Sequence, residues 1–116
     1  MTITILVDNL VSMHKGITPD EGTLVYNEII RLFKQNKDVV LDFSGIELMT
    51  TAFLNMAIGE LYKDHTTEDL KNKLSFANIT EPSAIRIKKV TDNAKLFYKD
   101  QEKFNQSVNE VIHGNN

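Results

Sequence analysis

Asp38-Val39-Val40-Leu41-Asp42-Phe43-Ser44-Gly45-Ile46-Glu47-Leu48-Met49-Thr50-Thr51-Ala52-Phe53-Leu54 is the stretch whose reading decides the fold. A compact apolar run breaks at Ser44-Gly45 and resumes behind two threonines with helical spacing. This pattern predicts a strand, Val39 to Phe43, that hands the chain through a short loop to a helix N-terminus. The near-continuous apolar character of the strand predicts a central position covered on both faces. Loops of this kind often carry function, because the elements around them hold them in place and the helix start leaves backbone N–H groups available.

The flanking segments extend the alternation. The helix after the loop is expected from about Thr51 to Asp64, with Phe53, Leu54, Ala57, Ile58, Leu61 and Tyr62 at spacings of three and four. Gly59 inside it costs about 1 kcal/mol relative to alanine, which points to tight packing there. Upstream, Thr18-Pro19-Asp20-Glu21 combines a capping threonine, a proline at the first helical position and a glutamate to close a capping box. That helix should run to about Gln35, with Val25, Ile29, Leu32 and Phe33 on one face and Gly22 allowing close backbone approach. Ile3, Ile5 and Val7 alternate as a first strand. Asp8 to Gly16 has no clean period, and reads either as a loop or as a short strand around Leu10–Met13 closing a hairpin.

Downstream, His65 to Asn72 is polar and reads as a loop or one helical turn, and Lys73 to Asn78 is a third strand. Thr80-Glu81-Pro82 starts another helix, with Ile87, Val90, Ala94 and Phe97 on its buried stripe. After a break near Asp100, Phe104, Val108, Val111 and Ile112 form a last helix. Strand and helix thus alternate along a single domain, residues 1–116. The expected class is α/β: a small mixed, partly parallel β-sheet with helices packed on it.

Composition narrows the function. The chain has 116 residues and a net charge of −3, so it lacks the basic excess of a nucleic-acid surface. It has no cysteine, which excludes disulfides, thiol catalysis and cysteine-held metals. No apolar run reaches membrane-spanning length, and the N-terminus lacks the basic start and small-residue cleavage site of a signal peptide. A cytoplasmic protein with no membrane association is expected.

Chemistry-bearing motifs are sparse. His14, His65 and His113 lie far apart and outside metal-ligand spacing, so each is read as a solvated surface side chain, and neither metal nor cofactor is expected. There is no glycine-rich phosphate loop and no Gly-x-Ser-x-Gly elbow. Asp42 and Glu47 bracket the loop but have no nucleophile or metal beside them. Asp42 is read as a turn-capping side chain and Glu47 as facing water, and no catalytic residue is assigned. Arg86, Lys88, Lys89, Lys95 and Lys99 make a basic helix face, read as solvated.

The segment Val39 to Asn55 resembles the core signature of the STAS superfamily, which includes bacterial anti-sigma factor antagonists and cytoplasmic domains of sulfate transporters. Asp42-Phe43-Ser44-Gly45 followed by Thr50-Thr51-Ala52-Phe53-Leu54-Asn55 is more closely similar to the STAS-like domain family of unknown function, the DUF4325 group. Asn27-Glu28-Ile29-Ile30 and Ile58-Gly59-Glu60-Leu61 fit that family's pattern, and the similarity spans Glu21 to Phe97.

The resemblance implies a regulatory, non-catalytic module that binds a protein, such as a histidine-kinase-type ATPase or an anti-sigma-like factor. In antagonists this loop ends in Asp-Ser-Ser-Gly, and phosphate on the second serine blocks docking. Here Thr50 stands at the aspartate, Thr51 at the first serine, Ala52 at the phosphorylated serine and Phe53 at the glycine. Alanine accepts no phosphate, so the ordinary switch is missing. Thr51 or Thr50 is the remaining phosphoacceptor candidate, although helix capping is the preferred role for these threonines. The expected docking residues are Asp42, Ser44, Gly45, Thr50, Thr51, Asn55 and Glu60, within a loop–helix unit spanning 44–62. The alternative is a ligand-sensing domain in which the helix N-termini at Thr51 and Pro82 receive a nucleotide or small anion.

Overall fold

The strand Asp38–Asp42 (β3) sits at the centre of a three-stranded sheet, between Thr2–Leu6 (β1) and Leu74–Ala77 (β5). A computed structural model describes the backbone of residues 1–114 and the side chains of residues 1–99. Both ladders of this sheet are parallel, with Ile5 opposite Leu41 and Leu41 opposite Phe76. A second, two-stranded parallel sheet joins Lys15–Gly16 (β2) to Leu48–Met49 (β4). The helices are Pro19–Lys34 (α1), Thr51–Ala57 (α2), Thr67–Lys73 (α3) and Glu81–Gly114 (α4). A 3-10 turn follows β1 at Val7–Leu10, and another follows α2 at Gly59–Lys63.

The α/β alternation is as expected, and every ladder between named strands is parallel; only an isolated bridge, Ser12 with Lys15, is antiparallel. That bridge closes a tight turn at Met13-His14, both at positive φ (57° and 59°), and β2 comes after it. The undecided segment Asp8 to Gly16 is therefore the end of a 3-10 turn, a tight turn and then the short strand β2, with no strand at Leu10–Met13.

Central position does not mean cover on both faces. Side chains alternate along a strand, so Ile3, Ile5, Val39 and Leu41 share one face and enter the core. On the other face Thr2, Thr4 and Ser75 are exposed, Leu6 is 37% exposed, and Val40 and Asp42 are half-buried. The two-faced burial expected for β3 is thus corrected to one. Apolar continuity in the strand alone was misleading, because the exposed threonines and serine lie on its neighbours.

α1 and α2 meet where glycine is required. A Cβ on Gly22 would collide with the carbonyl oxygen of Phe53 and lie 2.9 Å from Met56 Cβ. Gly16 has the same relation to the side chain below it, since a Cβ there would fall 2.7 Å from the Phe53 ring. Phe53 itself is fully buried.

Gly59 differs. A Cβ there would meet Val90 Cγ1 at 3.6 Å and Ala94 Cβ at 3.8 Å, which is ordinary contact, so the tight packing inferred for it is absent. The helix expected to reach Asp64 instead ends at Ala57 and continues as the 3-10 turn. Its apolar residues still pack inward: Ile58 and Leu61 are buried and Tyr62 is half-buried.

Three further expectations are corrected. His65 to Asn72 carries more helix than one turn, since α3 spans seven residues and buries Leu70. α4 runs without a break at Asp100, while the side chains of Phe104, Val108, Val111 and Ile112 lie outside the described residues. Ile87, Val90 and Ala94 form its buried stripe, but Phe97 is 58% exposed, because it borders a groove with Asn55 and Glu60 and is not packed into the core.

The two glycines give opposite expectations. Gly22→Ala should lower unfolding free energy by about 2 kcal/mol or more through forced separation of α1 and α2. Gly59→Ala should be neutral or stabilising by up to about 1 kcal/mol. Urea denaturation of both variants checks this; equal effects would refute the packing argument.

Candidate functional site

The loop after β3 is held at both ends by side chains that the sequence places in order. Asp42 Oδ1 accepts from the Ser44 backbone N–H (2.9 Å), from Ser44 Oγ (2.7 Å) and from Asn78 Nδ2 (3.0 Å). These donors, Asn78 first and then Ser44, hold the Asp42 carboxyl below its ordinary value of 3.8. The turn closes with Ile46 N–H donating to Phe43 O, and Gly45 adopts φ 81° at its third position. A Cβ on Gly45 would also stand 3.1 Å from Asp8 Oδ2. The carboxylate of Asp8 contacts His14 Nδ1 at 2.8 Å, so the turn after β3 lies against a histidine–aspartate pair.

The far end of the loop is fixed by β2. Glu47 N–H donates to His14 O, and Thr50 N–H donates to Gly16 O. Thr50 is the cap of α2: its Oγ1 donates to Ile17 O (2.6 Å) and accepts from Phe53 N–H (3.1 Å). Arg86 of α4 donates through Nη1 to Met49 O, so this member of the expected solvated basic face is instead a tie between α4 and β4. The capping box of α1 is also only half formed. Thr18 Oγ1 accepts from Glu21 N–H, but the Glu21 carboxylate accepts from Ser12 N–H and so secures the turn before β2.

Among the remaining predicted residues, Thr51 is exposed one position past the cap. Thr51, Asn55 and Glu60 line a groove of about 300 Å³ together with Gly59. The opposite wall is α4, which supplies Asn93, Ala94, Phe97 and Tyr98. The seven expected docking residues therefore fall into two groups. Asp42, Ser44 and Gly45 form the sheet-end turn, whereas Thr51, Asn55 and Glu60 share the groove; Thr50 joins them as a structural cap.

Sequence reasoning missed Asp8, His14 and Asn78 beside the turn, and Asn93, Phe97 and Tyr98 in the groove. The helical spacing of Phe97 points to the core, and the spacing of the others carries no signal. His65 is also not a solvated surface group: it is half-buried and packs edge-on to Phe33 at 5.4 Å. Glu47 is exposed, as expected, and the side chain of His113 lies outside the described residues.

The family model described as a STAS-like domain of unknown function (DUF4325) matches residues 21–84, more than half of the chain. The chain belongs to this STAS-like family. Comparison with curated proteins and with solved structures gives no match. The match takes in α1, the loop after β3, α2, α3, β5 and the start of α4, so the anchored loop of this STAS-like domain lies wholly within it. Among the described residues, no helix is long and apolar enough to cross a membrane, and no three His, Asp or Glu side chains are grouped to hold a metal.

Two outcomes test the anchoring of the loop. With the folded pKa of Asp42 depressed, its stabilising contribution is fully present above 3.8 and is lost as pH falls through the lower folded value. The stability difference between the wild type and Asp42→Asn should therefore shrink on acidification below pH 3.8, as measured by chemical denaturation across pH. Separately, Thr50→Val should cost about 1–2 kcal/mol by losing both cap hydrogen bonds, whereas Thr51→Val should stay within about 0.5 kcal/mol of wild type. Comparable losses for the two threonines in urea unfolding would contradict the assignment of Thr50 as the cap.

Proposed function

We propose that this STAS-like domain is a non-catalytic regulatory module that binds a protein partner through its 44–62 loop–helix unit. The observation that carries the reading is an apolar rim on a rigid corner. Ile17 and Leu48 are each 45% exposed; Ile17 directly follows β2 and accepts from Thr50 Oγ1 through its carbonyl, and Leu48 opens β4 two residues before Thr50. Apolar side chains held outward on an anchored backbone suit protein docking, because little further ordering is needed when the partner arrives. Asp42 and Thr50 supply the anchoring, while Thr51 and Asn55 are exposed on the helix that follows.

The antagonist resemblance supplies the kind of partner: a histidine-kinase-type ATPase or an anti-sigma-like factor. In this reading Thr51 is the better phosphoacceptor candidate. The Thr50 hydroxyl is already engaged as both donor and acceptor, and modifying it would undo the cap. Phosphate at exposed Thr51 would place about two negative charges at the docking rim.

A small-ligand role rests on the groove. Its charged lining residue is Glu60, which disfavours a nucleotide or small anion there. The anion-sensing alternative is left with the helix starts, and the protein-docking reading is preferred.

The test uses the chain as bait at native expression, beside Leu48→Glu and Ile17→Glu baits and a distant Lys71→Glu control. A partner should be retained by the wild type and the control and depleted about tenfold or more on the two rim variants, with melting temperature unchanged. Equal recovery on all four baits would exclude this corner as the docking site.

A further inference from the structure

The groove between α2 and α4 has chemistry that the docking proposal does not use. Phe97 and Tyr98 both line it and pack edge to face, with ring centroids 4.9 Å apart at 85°. Phe97 keeps 58% of its surface exposed beside this concavity. Glu60, half-buried, supplies a carboxylate to the same space, and Asn55 and Asn93 add amide groups. Among the described residues Glu60 makes no ion pair, while Lys95 is engaged with Asp92 (4.0 Å) and the Tyr62 ring (5.9 Å). Glu60 and Asp64 both act to keep the Tyr26 and Tyr98 hydroxyls protonated, adding to the larger effect of burial.

A carboxylate and two aromatic rings in one concavity attract a cation that also carries apolar surface. The ring quadrupoles and the carboxylate favour the positive charge, and the rings cover the hydrocarbon. A volume of about 300 Å³ lies at the small end of ligand pockets and suits a single small molecule. We propose that this groove binds a small organic cation, an ammonium or guanidinium carried on an aromatic or apolar body. Gly59 lies on the groove lining, and a Cβ there would face Val90, Ala94 and Asn55 at ordinary contact distance, so a bulky side chain would crowd the groove wall. The groove shares Thr51, Asn55 and Glu60 with the 44–62 unit but does not include Ile17 or Leu48, and its test does not depend on any protein partner.

Three probes of similar shape separate charge from hydrophobic contact: 2-phenylethylamine, 2-phenylethanol and 3-phenylpropionate. Each is titrated at neutral pH into the isotope-labelled chain, and binding is read from amide chemical shifts. The amine should shift the amides of Asn55, Gly59, Glu60, Asn93 and Phe97, and should bind about fivefold or more tightly than the alcohol, with the carboxylate weakest. Glu60→Gln should bring the amine down to the level of the alcohol, and Gly59→Leu should remove binding of both. The proposal fails if the three probes bind equally, if Glu60→Gln leaves the amine preference intact, or if the shifts map away from the groove. Absence of amine shifts at about 10 mM overturns it as well, since that concentration exceeds the dissociation constant of a functional small-ligand site. Should Gly59→Leu unfold the chain, the charge comparison and Glu60→Gln still decide the matter.

Discussion

Phe53 is held between two glycines. Gly16 lies against its ring, and Gly22 lies against its carbonyl oxygen. Neither glycine is there for a turn; each is there because a methyl group would occupy space already taken by Phe53. This contact brings α1 onto α2 and sets β2 against the helix that follows the loop. Overlap at this density cannot be relieved by small rotations, because protein interiors are close-packed. The position of the α2 N-terminus therefore follows from the core.

That placement explains why the loop after β3 can be both exposed and well anchored. β2 receives Thr50 N–H at Gly16 O, next to the same glycine that contacts Phe53. Thr50 then closes the corner by donating to Ile17 O while capping α2. At the other end Asp42 binds both polar groups of Ser44 and reaches Asn78 after β5. Hydrogen bonds to an ionised carboxylate are stronger than neutral ones, so Asp42 is well suited to hold the turn in place. Between these two anchors Leu48 and Glu47 stay exposed. A docking surface made this way loses little conformational freedom on binding.

The groove arises from a different cause. α4 carries a regular apolar stripe, and among the described residues Ala94 is its last buried side chain, followed by the exposed Leu96 and Phe97. Where α2 gives way to the 3-10 turn at Gly59, Phe97 and Tyr98 of α4 share a concavity with Asn55 and Glu60. Loop rim and groove thus lie on different elements and differ in chemistry, one apolar and the other aromatic with a carboxylate.

Local signals were enough for the parts of the chain that depend on local physics. Thr18-Pro19 started α1, Ser44-Gly45 made the turn, Thr50 capped α2, and the three- and four-residue spacing located the buried faces. The family signature was legible for the same reason, since it lies in one continuous stretch. Burial of only one face of β3, the partners Asn78 and Asp8 at the turn, and the tie from Arg86 to Met49 all join residues remote in sequence. The groove is of the same kind: Glu60 and Phe97 acquire a shared role only when α4 is packed against α2. By itself, then, the sequence determined the α/β alternation and the strand–loop–helix unit, because capping, turn and amphipathic preferences act over a few residues. Tertiary structure alone decided which of those residues became anchors, which remained exposed, and where a cavity opened, because these depend on contacts that exist only once distant segments share a core.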